Sequence, residues 1–227
     1  MCGRFLLRCP PQSWPADLLP DGEPASELAT ELPDLFKPRS NISPTQPVLA
    51  IVQQEPGALR ELVALTWGLV PSWAQERKIG AKMINARSET VHEKPSFRNA
   101  FSHRRCLILA DGYYEWVQSE AGKQPMLIQR PDKSLFCFAG LWEINRKLPS
   151  TKDGVVDPQH PLLTCTIITT AASQAMRGIH DRMPVVMDPA HYTTWLDPGF
   201  RNADALRAWL VAAEGDFFTA SPVQRVA

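Results

Sequence analysis

The stretch Cys106-Leu107-Ile108-Leu109-Ala110-Asp111-Gly112-Tyr113-Tyr114-Glu115-Trp116-Val117 decides the fold class of this 227-residue chain. Residues 106–110 form a short apolar run, and residues 113–117 are rich in aromatic side chains, two patterns that are typical of strands. Asp111-Gly112 between them supplies turn chemistry. The stretch therefore predicts two strands separated by a turn.

Further elements are predicted on both sides of this stretch. Apolar and β-branched runs predict strands at residues 48–52, 62–69, 126–129, 135–142, 163–170 and 184–187. Helical patterns predict helices at residues 25–32, 96–105, 171–177, 188–196 and 202–211, the last with Asn202 as its N-cap. Residues 36–47, 71–85 and 145–161 are predicted loops. Because helices and strands do not alternate regularly, we predict one α+β domain over residues 1–227, with a mixed or antiparallel sheet and helices around it.

The composition is that of an ordinary globular protein, with 44% hydrophobic and 21% charged residues. Lys+Arg and Asp+Glu number 24 each, so binding to nucleic acid must rest on a local basic surface. No apolar run is long enough to span a membrane, and the first residues lack the pattern of a secretory signal. We expect a cytoplasmic monomer without membrane association.

The cysteines and histidines do not predict a metal site. The five cysteines contain no CxxC pair, and those at positions 106, 137 and 165 lie in apolar strand segments that are typical of core positions. The five histidines show no close ligand spacing. We therefore predict no metal and no cofactor.

Cys2 is the strongest candidate for chemistry. Once Met1 is removed, Cys2 carries an α-amine, with a reference pKa of about 7.7–8.0, and a thiol on one residue. The amine can attack an aldehyde to form a Schiff base, and the thiol can then close a five-membered thiazolidine ring. Gly3 permits close approach to a ligand, and Arg4 can hold a phosphate. The alternative is a small residue packed near a chain end.

Three other segments carry candidate polar groups. Glu115 lies between aromatic residues and is either a desolvated acid–base carboxyl or an exposed edge-strand glutamate. His180 and Arg182 suit proton transfer and phosphate binding, or form an ordinary charged turn with Asp181. Asn85 and Arg87 suit orientation of a ligand and a phosphate contact, or cap a surface loop.

Two tryptophans near a proline-rich segment are candidates for contact with bases. Trp67 is expected to pack in the core. Trp73 lies in a Pro/Ser loop and is either an exposed stacking platform or a packed side chain.

Together these segments resemble the SOS-response-associated peptidase (SRAP) family, which includes abasic-site processing proteins. The matching pieces run from residue 2 nearly to the C-terminal end of the chain: Cys2-Gly3-Arg4, residues 41–44, Trp67-Gly68-Leu69, Pro71-Ser72-Trp73, residues 85–89, Asp111-Gly112, Glu115-Trp116 and residues 180–184. The resemblance implies the SRAP fold, with a partly barrel-like sheet.

The resemblance also implies a function and a set of site residues. It implies a covalent crosslink between mature Cys2 and abasic sites in single-stranded DNA, with Asn85 orienting the reactants, Glu115 as the acid–base group and His180 assisting proton transfer. It implies a DNA path formed by Arg4, Asn41, Pro44, Trp73, Arg87, Thr169 and Arg182. Strand cleavage by a lyase step and autocatalytic removal of the residue before Cys2 are further implied activities.

Two other classes of protein remain open at this stage. Some glutamine-using amidohydrolases also begin Met-Cys-Gly and use the freed amine as a base for the thiol. A non-covalent reader of nucleic acid needs only the basic and aromatic residues. Glutamine hydrolysis without DNA indicates the first class, and DNA binding that never resists denaturation indicates the second.

Overall fold

A computed structural model describes residues 2–15, 18, 26–119, 122–152 and 155–226. The twelve strands are β1 (Arg4–Leu7), β2 (Arg39–Ile42), β3 (Pro47–Val52), β4 (Glu61–Trp67), β5 (Asn85–Arg87), β6 (Arg105–Ala110), β7 (Gly112–Ser119), β8 (Gly122–Gln129), β9 (Phe136–Lys152), β10 (Val155–Ala171), β11 (Arg182–Pro184) and β12 (Thr219–Pro222). The α-helices are α1 (Ser26–Glu31), α2 (Arg98–His103), α3 (Tyr192–Leu196) and α4 (Ala203–Ala208).

The larger of two sheets closes on itself. Strand β10 pairs with β4 on one edge and with β9 on the other, so β10, β4, β3, β6 and β9 form a five-stranded ring. The β10–β4 pair is parallel, whereas β3–β4, β3–β6, β6–β9 and β9–β10 are antiparallel. The far end of β10 also pairs with β5 and β11. The predicted mixed, partly barrel-like α+β fold is confirmed.

The smaller sheet has the strand order β12-β8-β7-β1-β2. The chain passes directly from the barrel into this sheet at Asp111, between β6 and β7. The carboxylate of Asp111 accepts the backbone N–H of Arg8 (2.5 Å) and of Cys9 (2.7 Å), just beyond the end of β1. The Asp111-Gly112 turn therefore joins the two sheets and also holds the first strand.

The two sheets share one apolar core. Phe5 of β1 meets Trp67 of β4 and Phe138 of β9 edge to face, with ring centroids 5.1 and 5.8 Å apart. Tyr113 of β7 packs on Phe138 in the same way. Such geometry is preferred for aromatic pairs. This shared core is compatible with one domain over residues 1–227, which stays a prediction.

Most of the predicted elements are confirmed within one to three residues, including α2 and the N-cap of α4, where the Asn202 side chain accepts the N–H of Ala205 (3.1 Å). The predicted helix at 171–177 is wrong, because those residues end β10 and then form turns. The predicted loop at 145–161 is also wrong, because its described residues extend β9 and β10 into a long hairpin. Strands β1, β2, β5 and β12 were not predicted, and the predicted loop at 36–47 is wrong in part, because residues 39–42 pair with β1 as strand β2.

Arg105 joins the helical layer to the barrel. Its side chain is buried, and its five N–H donors meet five backbone carbonyls, those of Phe101, Ser102, Trp195, Asp197 and Phe200. Burial lowers the pKa of this guanidinium to about 10. The group therefore satisfies carbonyls at the C-terminal ends of α2 and α3 that would otherwise be left without donors.

We predict that Arg105→Lys lowers the free energy of unfolding by about 3–5 kcal/mol, because an ammonium offers three donors to five buried carbonyls. Urea unfolding followed by circular dichroism measures this change. The exposed Arg207→Lys is the matched control and changes stability by less than about 0.5 kcal/mol. Equal stability of the two variants would show that Arg105 does not hold the helices.

Candidate functional site

The start of β1 lies beside the middle of β7. Arg4 pairs with Tyr114 and Phe5 with Tyr113 in antiparallel register, so the residues that precede Arg4 run alongside Glu115. Because side chains alternate along a strand, Glu115 shares the inward face of β7 with the buried Tyr113. The sheet thus brings two of the predicted catalytic residues, Cys2 and Glu115, to one place.

Asn85 reaches the same place from the barrel. It begins β5, which runs parallel to β10 with Asn85 opposite Ile167. Its amide Nδ2 donates to the backbone carbonyl of Cys2 at 2.8 Å. Its Oδ1 is buried and has no hydrogen-bond partner among the described residues. Asn85 therefore positions the backbone of Cys2 through its Nδ2, and its Oδ1 remains available to accept a further hydrogen bond.

The thiol of Cys2 is enclosed and stays protonated. The residue is completely buried, and the Sγ atom lies 3.9 Å from the carbonyl oxygen of Arg4. Burial, with a smaller contribution from the negative charge of Glu115, raises the pKa of the thiol far above its usual range. The thiolate is therefore a minor species at neutral pH.

Glu115 is a buried carboxyl with only 4% of its surface exposed. Burial raises its pKa above the usual range, and the charge of His180 is among the influences that oppose this increase. The desolvated interpretation of Glu115 is therefore favoured over the exposed edge-strand one. A carboxyl with a raised pKa can exchange a proton closer to neutral pH than an exposed glutamate can.

We predict that Glu115→Gln raises stability at neutral pH. A folded-state pKa above the unfolded one means that the carboxyl favours folding most when it is protonated, and that this contribution is lost as pH rises through the folded pKa. The neutral amide avoids the loss. Denaturant midpoints measured from pH 4 to pH 8 should therefore separate in favour of the variant as pH rises. A constant difference across this range would contradict the assigned pKa shift.

His180 precedes β11 and is partly exposed. Its Nδ1 accepts the backbone N–H of Arg182 at 2.9 Å and also lies 2.7 Å from Asp181 Oδ1. The first contact requires a lone pair on Nδ1, and the second is attractive only with a proton there. The two contacts place opposite demands on Nδ1, so its hydrogen-bonding role depends on the tautomer of the ring.

The guanidinium of Arg182 is engaged within the protein. It contacts both carboxylate oxygens of Glu89 and donates to the backbone carbonyl (2.6 Å) and the hydroxyl (3.3 Å) of Thr169. This contact with Glu89 lowers the pKa of that carboxyl. Thr169 itself is completely buried. A phosphate at Arg182 would therefore compete with Glu89, and the buried Thr169 contacts the Arg182 guanidinium rather than solvent.

The other predicted DNA contacts differ in their exposure. Arg4 is partly buried and donates to the carbonyl of Gly3 (3.0 Å), whereas Arg87 is exposed at the end of β5. Asn41 and Pro44 are partly buried in and just after β2. Trp73 is 54% exposed, which supports the platform interpretation, and Trp67 is buried in the core as predicted.

Two residues that the sequence did not single out support this region. Asn145 is completely buried and donates from Nδ2 to the carbonyls of Pro71 (2.8 Å) and Ala74 (2.9 Å), on both sides of Trp73. The buried hydroxyl of Tyr113 has no hydrogen-bond partner among the described residues, and burial raises its pKa well above its usual range. A buried polar side chain inside a predicted loop, such as Asn145, gives no signal in the sequence.

The described residues hold no cluster of three or more His, Cys, Asp or Glu side chains that can bind a metal ion. In that same part of the chain, no helix is both long and apolar enough to cross a membrane.

Comparisons with known proteins agree with one another. The sequence is 43% identical over 182 residues to the abasic site processing protein YoaM of Bacillus subtilis, covering 80% of this chain and 75% of the relative. It is 40% identical over 222 residues to YoqW of the same organism, which carries the same description, covering 95% and 89%. The abasic site processing protein HMCES of Xenopus tropicalis is 35% identical over 196 residues, which cover 77% of this chain and 58% of that protein.

A crystal structure of a protein from Bacteroides thetaiotaomicron has the same fold, with a TM-score of 0.79 over 98% of this chain and 92% of that one, at 22% identity. The profile of the SOS response associated peptidase (SRAP) family matches residues 1–226. The chain therefore belongs to the SOS response associated peptidase (SRAP) family.

Proposed function

We propose that this protein detects abasic sites in single-stranded DNA and bonds to them covalently through Cys2 after Met1 is removed. The observation that carries the proposal is the buried corner where the Asn85 amide holds the Cys2 carbonyl beside the desolvated Glu115. The relatives described as abasic site processing proteins supply the substrate class.

The α-amine of Cys2 acts first in this proposal. The thiol is protonated, so the neutral amine is the available nucleophile. The amine adds to the aldehyde of the ring-opened sugar, and loss of water gives an imine. The thiol sulfur then adds to the imine carbon while its proton goes to nitrogen, which closes a thiazolidine ring without further loss. Asn85 Oδ1 is suited to accept a hydrogen bond from the amine.

Glu115 and His180 move protons in the proposed reaction. An abasic sugar is mostly a closed ring, so a protonated carboxyl that assists ring opening raises the reactive aldehyde fraction. The same carboxyl can assist the loss of water from the first adduct. His180 precedes Arg182, is partly exposed, and is suited to transfer a proton in the later steps.

Two further activities belong to the proposal. Strand cleavage is a branch from the imine, in which a base removes a proton next to the imine carbon and the 3′ phosphate leaves. Rapid ring closure by the thiol suppresses that branch, because it removes the imine. Removal of the residue before Cys2 by the protein itself accounts for the peptidase in the family description, and it does not require proteolysis of other proteins.

Trp73 is proposed to stack on a DNA base, held in place by Asn145. We predict that Trp73→Ala lowers affinity for single-stranded DNA by about 5- to 150-fold, the range that corresponds to about 1–3 kcal/mol for stacking of one base. Fluorescence anisotropy with an intact oligonucleotide measures this affinity. Leu59→Ala is the matched control, because Leu59 is also an exposed apolar residue. Equal losses for the two variants would remove Trp73 from the DNA path.

The proposed function is tested by mixing the purified protein with single-stranded DNA that carries one abasic site and separating the products under denaturing conditions. A slowly migrating adduct with abasic DNA and none with intact DNA supports the proposal. If no adduct forms although mass spectrometry shows a mature N-terminal Cys2, covalent capture is wrong. Glutamine hydrolysis by the same sample would then indicate the amidohydrolase class.

A further inference from the structure

A cavity lined by both polar and apolar side chains lies where the barrel meets the helical layer, among residues that do not belong to the Cys2 site. Its volume is about 260 Å³. It is lined by Gln54 and Pro56 after β3, His103 and Arg104 at the end of α2, Trp142 and Ile144 of β9, and Pro198 and Arg201 between α3 and α4. The proposed function uses none of these residues.

The charged groups of the cavity are mainly cationic. Arg104 forms an ion pair with the buried Glu143, with 2.9 Å between Nη2 and Oε1, yet its Nε is buried and has no hydrogen-bond partner among the described residues. Arg201 donates only from Nε to the carbonyl of Pro198 (3.3 Å) and has no ion pair within that part of the chain. His103 adds a third group that can carry positive charge. Glu143 offsets one of the two guanidinium charges, so an excess of positive charge remains.

The indole of Trp142 supplies an independent observation. Trp142 is 4% exposed, and its Nε1 is buried without a hydrogen-bond partner among the described residues. A buried donor that lacks a partner is costly, and native proteins nearly always satisfy it. Indole and guanidinium nitrogens donate but do not accept hydrogen bonds. Both groups can only donate, and the charge around them favours an anionic ligand in the cavity.

We propose that this cavity binds the phosphate group of a nucleotide, either free or within a nucleic-acid chain. The phosphate accepts hydrogen bonds from the guanidinium groups of Arg104 and Arg201, and the indole of Trp142 lines the same cavity. The apolar side chains of Pro56 and Ile144 line the same cavity and provide a surface for the sugar or base. The proposal is independent of Cys2 chemistry.

The test follows the indole N–H resonance of Trp142 in ¹⁵N-labelled protein, assigned by its absence from the spectrum of Trp142→Phe. Sodium phosphate, deoxyadenosine monophosphate and an intact ten-nucleotide single strand are titrated separately at constant ionic strength. We expect a saturable shift of this resonance. Arg201→Gln should weaken binding by about tenfold or more, because it removes a charged hydrogen bond. Arg207→Gln, an equal charge change on α4, should leave binding unchanged.

The three titrations separate the two sources of phosphate. Tighter binding of the mononucleotide than of the strand indicates a free nucleotide, and the reverse indicates a nucleic-acid chain. Calorimetry measures the same affinities without the assignment of the indole resonance. The comparison of Arg201→Gln with Arg207→Gln can therefore be made even if Trp142→Phe does not fold. The absence of saturable binding by all three probes, or equal affinities for the two arginine variants, would overturn the proposal. Loss of crosslinking by Cys2→Ala with this binding intact would separate the cavity from the proposed function.

Discussion

Replacing Cys2 by alanine is expected to abolish the denaturation-resistant adduct with abasic DNA. Alanine keeps the α-amine but lacks the sulfur that closes the thiazolidine ring, so only a hydrolysable imine can form. The loss should be complete on a denaturing gel, while binding to intact single-stranded DNA persists. A stable adduct formed by Cys2→Ala at the wild-type rate would show that another residue captures the sugar.

A reductive trap provides the control for this variant. Treatment with cyanoborohydride converts an imine into a stable amine, so Cys2→Ala should give an adduct in its presence and none in its absence. This result would show that the amine is intact and that the thiol is responsible for stability of the wild-type product. The imine branch also predicts more strand cleavage by Cys2→Ala than by the wild type.

Glu115→Gln is expected to slow crosslinking by about 10²- to 10⁴-fold, the usual contribution of a positioned acid–base group. The amide has nearly the same shape but cannot exchange a proton. Single-turnover rates measured at saturating DNA separate this effect from binding, which should persist. Asn85→Ala in the same assay tests positioning of Cys2, through the 2.8 Å contact between the amide and the Cys2 carbonyl. An unchanged rate for Glu115→Gln would remove the carboxyl from the mechanism.

The pH dependence of the rate has a defined sign. Burial raises the pKa of Glu115, so the protonated form persists above the usual range of a carboxyl. If this form opens the sugar ring, its contribution to the rate falls as pH rises through the raised pKa. In the Glu115→Gln variant this fall of the rate with rising pH should be absent. The increase of the rate that accompanies deprotonation of the α-amine should remain. A profile of unchanged shape would contradict the role of Glu115.

The strands could be predicted from the sequence more readily than their arrangement. Apolar and aromatic runs such as residues 106–117 identify strands locally, because burial on a sheet selects those side chains. Closure of the barrel depends on β10 pairing with β4 and β9 together, a non-local match that no local pattern encodes. The hairpin over 145–161 was missed for a related reason, because its prolines and polar residues are typical of loops.

The residue types of the candidate site could be predicted from the sequence, but their geometry could not. The sequence identified Cys2, Asn85 and Glu115 by their chemistry and by family resemblance. It could not show that Glu115 is desolvated or that Asn85 holds the Cys2 backbone, since both depend on how β1, β5 and β7 are arranged in the folded chain. It also could not show that Glu89 forms an ion pair with Arg182, because that contact joins residues 93 positions apart in the sequence.

The central claim is that the α-amine and thiol of Cys2 together form the bond to DNA, and mass spectrometry of the crosslinked peptide tests it most directly. The adduct is digested with a nuclease and with trypsin, which cleaves after Arg4. We predict a peptide that begins at Cys2 and carries the sugar remnant less one water, with no free thiol. A remnant attached to a lysine elsewhere, or a crosslinked peptide that still begins with Met1, would contradict the claim.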